Sequence, residues 1–317
     1  MGQLLVSAFT AVSNDGSDCL FRETNPFLVQ DKSNIYFVES HNKTMTNHSP
    51  NVTETTLRLD PKGKKVSLFV TCIVDMIYPG TGMATVELIE RLGIEVDFPE
   101  AQTCCGQMGF NAGYRPEAKA VAQHWVEAFA NSQVIVAPSG SCVSMVRHFY
   151  SQLYVEDPAW HATVERLAAN TWELTEYLVD GLGITDLGLT LEQPLNVAIH
   201  DACHGLRMLN LQNQGRQLLS NVGNLTVVDL PGADQCCGFG GLFAVKMPDI
   251  SGAMLNDKIK SINTVDADVI VTSDASCLTQ MNGGLTRQKS GKRVVHIAEV
   301  LAGKVSQAKH VKNEKIK

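Results

Sequence analysis

Thr103-Cys104-Cys105-Gly106-Gln107 has a counterpart further along the chain in Gln235-Cys236-Cys237-Gly238-Phe239, and this doubled cysteine pair decides the fold. Counting outward from each pair gives the same spacing. Cys72 precedes the first pair by 31 residues and Cys142 follows it by 36; Cys203 precedes the second pair by 32 and Cys277 follows it by 39. Val134-Ile135-Val136 stands before Cys142 at the same distance as Val269-Ile270-Val271 before Cys277. Ser141 matches Ser276, and Leu174–Leu178 parallels Ile297–Leu301. Eight of the nine cysteines lie on this internal repeat; the ninth, Cys19, lies outside it. A fixed period of this kind marks two copies of one supersecondary unit.

Each copy alternates short apolar runs with helical patterns. Val66–Val70 ends at Thr71-Cys72, Ile94–Phe98 leads to the first cysteine pair, and Val134–Ala137 leads to Pro138-Ser139-Gly140-Ser141-Cys142. Between them the pattern predicts helices over Gly80–Leu92, stopped by Gly93, and Pro116–Ala130. The second copy repeats the order: Leu195–Ile199, a helix near Gln212–Val222, strand Leu225–Leu230, a helix over Asp249–Thr264 and strand Val269–Thr272. Such alternation predicts an α/β fold of two tandem, pseudo-symmetric βαβ-type units, each a short parallel sheet flanked by helices. The expected division is a disordered or poorly ordered extension over 1–62, a first unit over 63–190, a second over 191–305, and a basic tail over 306–317. Residues 1–62 are rich in Asn, Ser, Thr and Asp without a sustained period.

The cysteines follow strands, and in parallel α/β folds ligands bind at the carboxyl ends of strands. Three strand ends can therefore bring four thiols of one unit to one place. Four thiolates suit an iron–sulfur cluster or a zinc ion. Neither unit has the C-x-x-C spacing by which one turn presents two sulfurs to zinc, and vicinal cysteines suit a larger, multi-metal object. Zinc and purely structural or disulfide-linked cysteines stand as the alternatives.

The doubled pattern resembles the CCG-domain family of cysteine-rich iron–sulfur proteins, which includes subunits of heterodisulfide reductase and of glycolate oxidase. The resemblance runs from about Val66 to Leu301. It is carried by Phe69-Val70-Thr71-Cys72, Thr103–Gln107, Pro138–Cys142, His200-Asp201-Ala202-Cys203-His204 and Cys236-Cys237-Gly238-Phe239-Gly240-Gly241. The Pro-Ser-Gly-Ser-Cys form is similar to the family's lactate-utilisation branch. The resemblance implies an oxidoreductase subunit that oxidises L-lactate to pyruvate with two partners, a ferredoxin-type iron–sulfur protein and a small third subunit, in the cytoplasm. It implies iron–sulfur clusters of the [4Fe–4S] kind, up to one per unit, held by Cys72, Cys104, Cys105 and Cys142 and by Cys203, Cys236, Cys237 and Cys277. The heterodisulfide-reductase form ends each unit in Cys-x-x-Cys, whereas here Ser139 and Asp274 take the first position. A thiol–disulfide redox subunit of that type is the runner-up, and Ser139 and Asp274 become candidates for tuning a cluster.

His200 and His204 flank Cys203 and are candidates for hydrogen bonds to cluster sulfur, for ligation, or for carrying protons. Arg207 is a lesser candidate for balancing anionic charge. No Walker or dinucleotide motif is present, so a hydride acceptor has to come from elsewhere. A formal net charge of −7 argues against a nucleic-acid partner, and no run of 18 apolar residues predicts a membrane span. Four Asn-x-Ser/Thr triplets begin at Asn42, Asn47, Asn51 and Asn224 and carry no weight without secretion.

Overall fold

The computed structural model describes residues 58–305 and, separately, a short antiparallel pair, Val29–Asp31 with Asn34–Tyr36. The expectations for Cys19, for the triplets at Asn42, Asn47 and Asn51, and for the basic tail over 306–317 fall outside the described residues. Residues 58–62, assigned by composition to the extension, pack on the body. Arg58 pairs with Glu176 at 2.8 Å and lies 3.3 Å over the Trp172 ring, and the Leu59 N–H donates to Asn170 Oδ1 at 2.8 Å.

Unit one holds strands β1 (Val66–Leu68), β2 (Val96–Asp97), β3 (Val134–Ala137) and β4 (Thr171–Glu173). Its helices are α1 (Cys72–Ile77), α2 (Pro79–Arg91), α3 (Gln107–Asn111), α4 (Arg115–Ala128), α5 (Gly140–Leu153), α6 (Pro158–Ala169) and the single turn α7 (Leu174–Glu176), which runs on into a π-helical segment over Tyr177–Gly181. Unit two holds β5 (Thr190–Ile199), β6 (Gly223–Val228), β7 (Val269–Thr272) and β8 (Val294–His296), with helices α8 (Cys203–Met208), α9 (Gln214–Ser220), α10 (Phe243–Lys246), α11 (Pro248–Thr264), α12 (Ala275–Arg287) and α13 (Ile297–Leu301). The sheets run β2-β1-β3-β4 and β6-β5-β7-β8, every pair parallel. Both therefore have the order 2-1-3-4, with the reversal between their first and third strands, where ligands of open α/β sheets bind.

The α/β expectation holds, with shifted boundaries. β2 is cut from five predicted residues to two, because only Val66 and Ser67 of β1 face it as partners. β5 is longer than predicted, reaching back to Thr190 through a register shift between Thr190 and Leu195. Helix α9 is trimmed to Gln214–Ser220. Asn224, the second residue of β6, holds φ +62 with its side-chain amide nitrogen donating to the Leu191 carbonyl at 2.8 Å, so that triplet is part of the fold's own hydrogen bonding.

The units interlock. A shared core takes Val66, Val134 and Val136 from one sheet and Val197, Val269 and Val271 from the other. Each unit lends its first crossover helix to cover the other's last helix: Thr81 of α2 donates to Glu299 of α13 at 2.5 Å, and Gln214 of α9 donates to Asp180, beyond α7, at 2.7 Å. At the centre Ser139 and Asp274, repeat-equivalent residues, pair through an isolated antiparallel bridge. Beside it the backbones come close, since a Cβ on Gly140 of α5 would lie 3.2 Å from the Gly205 Cα of α8. Glycine at 140 is what permits that approach, since a Cβ on Gly205 would meet only the Leu211 side chain at 3.8 Å.

Candidate metal centres

The strand ends deliver the thiols as the repeat spacing predicts. Cys72 opens α1 beyond β1, Cys104 and Cys105 lie in the loop beyond β2, and Cys142 sits in the first turn of α5 beyond β3. Cys72 Sγ lies 3.6 Å from Cys104 Sγ, and Cys105 contacts both Cys104 and Cys142. In unit two Cys203 contacts Cys236, Cys236 contacts Cys237, and Cys237 Sγ lies 3.3 Å from Cys277 Sγ. All eight are free thiols, far beyond disulfide bond length. In each quartet the first cysteine and the first of the vicinal pair are half-buried; the other two are buried.

Glycine makes the vicinal pairs possible. Gly106 and Gly238 take φ +79 and +85, and their N–H groups fold back to the Cys104 and Cys236 sulfurs at 3.3 and 3.4 Å. A Cβ on Gly238 would lie 2.6 Å from the Ser251 carbonyl oxygen, whereas one on Gly106 would meet nothing closer than 3.4 Å. The approach to Cys72 is strained instead. Thr71 holds φ +71 with ψ 148, a region nearly confined to glycine, while its counterpart Ala202 is ordinary extended chain.

Hydrogen bonding singles out one sulfur per quartet as the thiolate. The thiols of Cys105 and Cys72, with the Gly106 N–H, hold Cys104 down to about 3. The thiols of Cys203 and Cys237, with the Gly238 N–H, hold Cys236 down to about 2. Cys72 and Cys203 are pushed up, first by bonding to those thiolates and then by burial. A thiolate is the form that binds metal.

His200 is buried, and both of its ring nitrogens lack a hydrogen-bond partner among the described residues. One of them lies within 4.8 Å of both the Cys237 and Cys277 sulfurs. Burial pulls it down to about 3, so it is neutral. His204 reaches Cys203 Sγ with Nδ1 at 3.7 Å. Asp274 accepts the Ser141 N–H at 2.8 Å, the Ser276 N–H at 2.9 Å and the Ser139 hydroxyl at 3.3 Å, so one carboxylate ties together the turns that carry Cys142 and Cys277. Arg207 is exposed and donates to the Asp234 carbonyl oxygen at 3.2 Å.

Lys258 is the residue that motif reading passed over. It lies on the buried face of α11 with Leu255, Ile259 and Ile262, donates to the Gly232 carbonyl at 2.5 Å, and interacts electrostatically with Cys237, Cys277 and Cys236. A lysine three and four residues from apolar positions, on a face otherwise buried, was the available signal. Gln107, the first residue of α3, donates to the Ser141 carbonyl at 2.8 Å. Phe239 and Gly241 of unit two close over the first quartet beside Cys72, Cys104 and Cys142.

The donor chemistry fits a thiolate-held metal group: four converging sulfurs, one of them readily ionised, backbone N–H groups aimed at sulfur, and an unpartnered buried imidazole beside the second set. Comparison with known proteins agrees with this chemistry. The cysteine-rich domain CCG matches residues 66–147 and again 197–282. A protein from an Exiguobacterium species called lactate utilization protein A is 47% identical over 245 residues, covering 77% of this chain and 99% of that protein. Proteins of the same name from Geobacillus kaustophilus and Bacillus subtilis are 48% and 46% identical, each over 75% of this chain and 98% of their own length.

Proposed function

We propose, from the premise that this chain belongs to the cysteine-rich CCG-domain family, that it is the iron–sulfur redox subunit of a multi-protein system that oxidises L-lactate to pyruvate. The observation that carries the metal half of this reading is the convergence of two quartets of free thiols at the strand ends. The lactate half is supported by the names of relatives that match over nearly their whole length. The ligands are Cys72, Cys104, Cys105 and Cys142 at one centre, and Cys203, Cys236, Cys237 and Cys277 at the other.

Bound there, an iron–sulfur cluster supplies one-electron exchange. The chain's own residues do the rest. The glycine turns let backbone amides bond to sulfur, the interlocked cores exclude water from the inner pair of each quartet, and Asp274 holds the two cysteine-bearing turns in register. Two-electron oxidation of a 2-hydroxy acid needs a further acceptor, which is why the reading includes partners, expected to be a ferredoxin-type protein and a third small subunit.

Complementation tests the assignment. In a lactate-consuming bacterium lacking its own relative of this chain, expression of this protein restores L-lactate consumption, and the Cys104→Ala or Cys237→Ala protein does not. Restoration by both variants rules out the thiol centres as the working parts. A zinc content near stoichiometric, with no visible absorption, points to a zinc-stabilised interaction module instead.

A further inference from the structure

The two quartets are alike, but what stands behind them is not. Phe69 and His200 are repeat-equivalent: each lies three residues before the first cysteine of its unit, and their N–H groups donate to the equivalent carbonyls of Val136 and Val271. Trp125 and Lys258 are equivalent too. Gly106 abuts the Ala118 carbonyl and Gly238 abuts the Ser251 carbonyl, and seven residues further along each helix come Trp125 and Lys258. In unit one this pair is an apolar contact. The Phe69 and Trp125 rings meet edge to face at 5.6 Å, and Phe129 and Tyr150 complete an aromatic wall. In unit two the same two positions are a histidine and a lysine, each 1% exposed.

We infer that unit two is built to hold added negative charge and unit one is not, so that of the two centres the one on Cys203, Cys236, Cys237 and Cys277 has the higher reduction potential, with His200 and Lys258 as the residues that set the difference. This rests on reading the eight thiols as cluster ligands. A neutral imidazole carries one N–H; neither ring nitrogen of His200 makes a well-formed hydrogen bond, and the acceptors in reach are the Ala233 carbonyl and the two sulfurs within 4.8 Å of one ring nitrogen. Lys258 gives one of its three N–H donors to the Gly232 carbonyl; burial pulls its ammonium below the usual lysine range, while the Cys237, Cys277 and Cys236 sulfurs favour its charged form. Hydrogen bonds to sulfur and nearby positive charge both favour the reduced, more anionic state of a cluster. Unit one offers at these positions only the neutral indole N–H of Trp125; its Tyr150 hydroxyl is spent on the Cys105 carbonyl at 3.0 Å. Asp274 opposes the effect, since it acts on Cys203 and Cys277. Its charge is spread over two backbone N–H groups and a hydroxyl at the junction of the units.

The test is an anaerobic redox titration of the whole protein followed by electron paramagnetic resonance, with iron and sulfide content measured on the same samples. Wild type shows two separate midpoints. His200→Phe and Lys258→Met each lower the upper midpoint and leave the lower one in place, and His200→Gln, which keeps a donor, recovers most of the loss. Full iron content with coincident midpoints overturns the inference, as does an upper midpoint unmoved in both variants. Protein that takes up no iron at all sinks the ligand reading itself along with the inference. The two sites lie on different elements, so a folding failure in one variant leaves the other to decide.

Discussion

Unit one and unit two share strand order, cysteine spacing and the glycine that turns each vicinal pair, yet they spend their buried positions differently. Unit one backs its cysteines with Phe69, Trp125, Phe129 and Tyr150, a packing solution that stabilises by apolar contact. Unit two backs its cysteines with His200 and Lys258, polar groups whose burial costs stability unless something in the site uses them. The difference teaches where selection for folding ends and selection for chemistry begins: two copies of one scaffold, with the same ligands, differ in the residues next to the ligands.

Several substitutions break or sharpen that contrast. The largest effect is expected at the ligands. Cys104→Ala or Cys237→Ala halves the bound iron and sulfide, each removing one centre and leaving the other; loss of both centres from either change contradicts independent quartets. Next come the residues behind them. Trp125→Ala costs about 3–5 kcal/mol, as for any wholly buried aromatic. Lys258→Met is neutral or raises stability by about 1 kcal/mol, because it replaces a buried cation with an apolar chain of similar length. Urea unfolding midpoints separate the two outcomes. The turns differ as well. Gly238→Ala forces a Cβ to within 2.6 Å of a backbone oxygen and costs about 3 kcal/mol, whereas Gly106→Ala bears only the left-handed backbone penalty of about 1–2 kcal/mol.

The two-stranded ends of the comparison titrate in opposite senses. Glu173 closes β4 and His296 closes β8, each buried and each accepting the N–H two residues on. Burial pushes the Glu173 carboxyl up to about 7, against the bonds from Thr175 and Glu176. Its folded form holds the proton longer than the unfolded chain does, so the stability it contributes is full below its ordinary value and is lost as pH rises through about 7. Between about pH 6 and about pH 8 this amounts to about 1 kcal/mol. Burial pulls His296 down, so its contribution is present above the ordinary histidine value and is lost as pH falls below it. Glu173→Gln flattens the alkaline limb of stability against pH, and His296→Asn flattens the acid limb. Unchanged limbs in both variants sink the assignment.

Much of this fold is legible in one dimension because the information is local. Short apolar runs before each cysteine, Gly93 at φ +74 ending α2, and proline in the first turn of α2, α4 and α11 all act within a few residues. The gathering of four thiols follows from strand ends sharing one edge of a parallel sheet. What was not legible depends on the other unit. The exchange of α2 and α9 between units, the Gly140–Gly205 contact, and the seat of Asp274 on the Ser141 N–H join residues from 34 to 218 positions apart. No periodicity encodes such contacts. Lys258 was missed for a different reason: a motif search looks beside cysteines in sequence, and the lysine approaches them from a helix 21 residues on from Cys237. Arg58 shows the converse, a residue in a stretch of disordered composition that is pinned by Glu176 and Trp172.

Native mass spectrometry of the full chain, purified and sprayed without exposure to air, tests the central claim most directly. The account predicts a mass above that of the bare polypeptide by two equal increments of iron plus sulfide, lost one at a time as acid or chelator is raised. A bare chain, or an increment equal to single metal ions without sulfide, contradicts it.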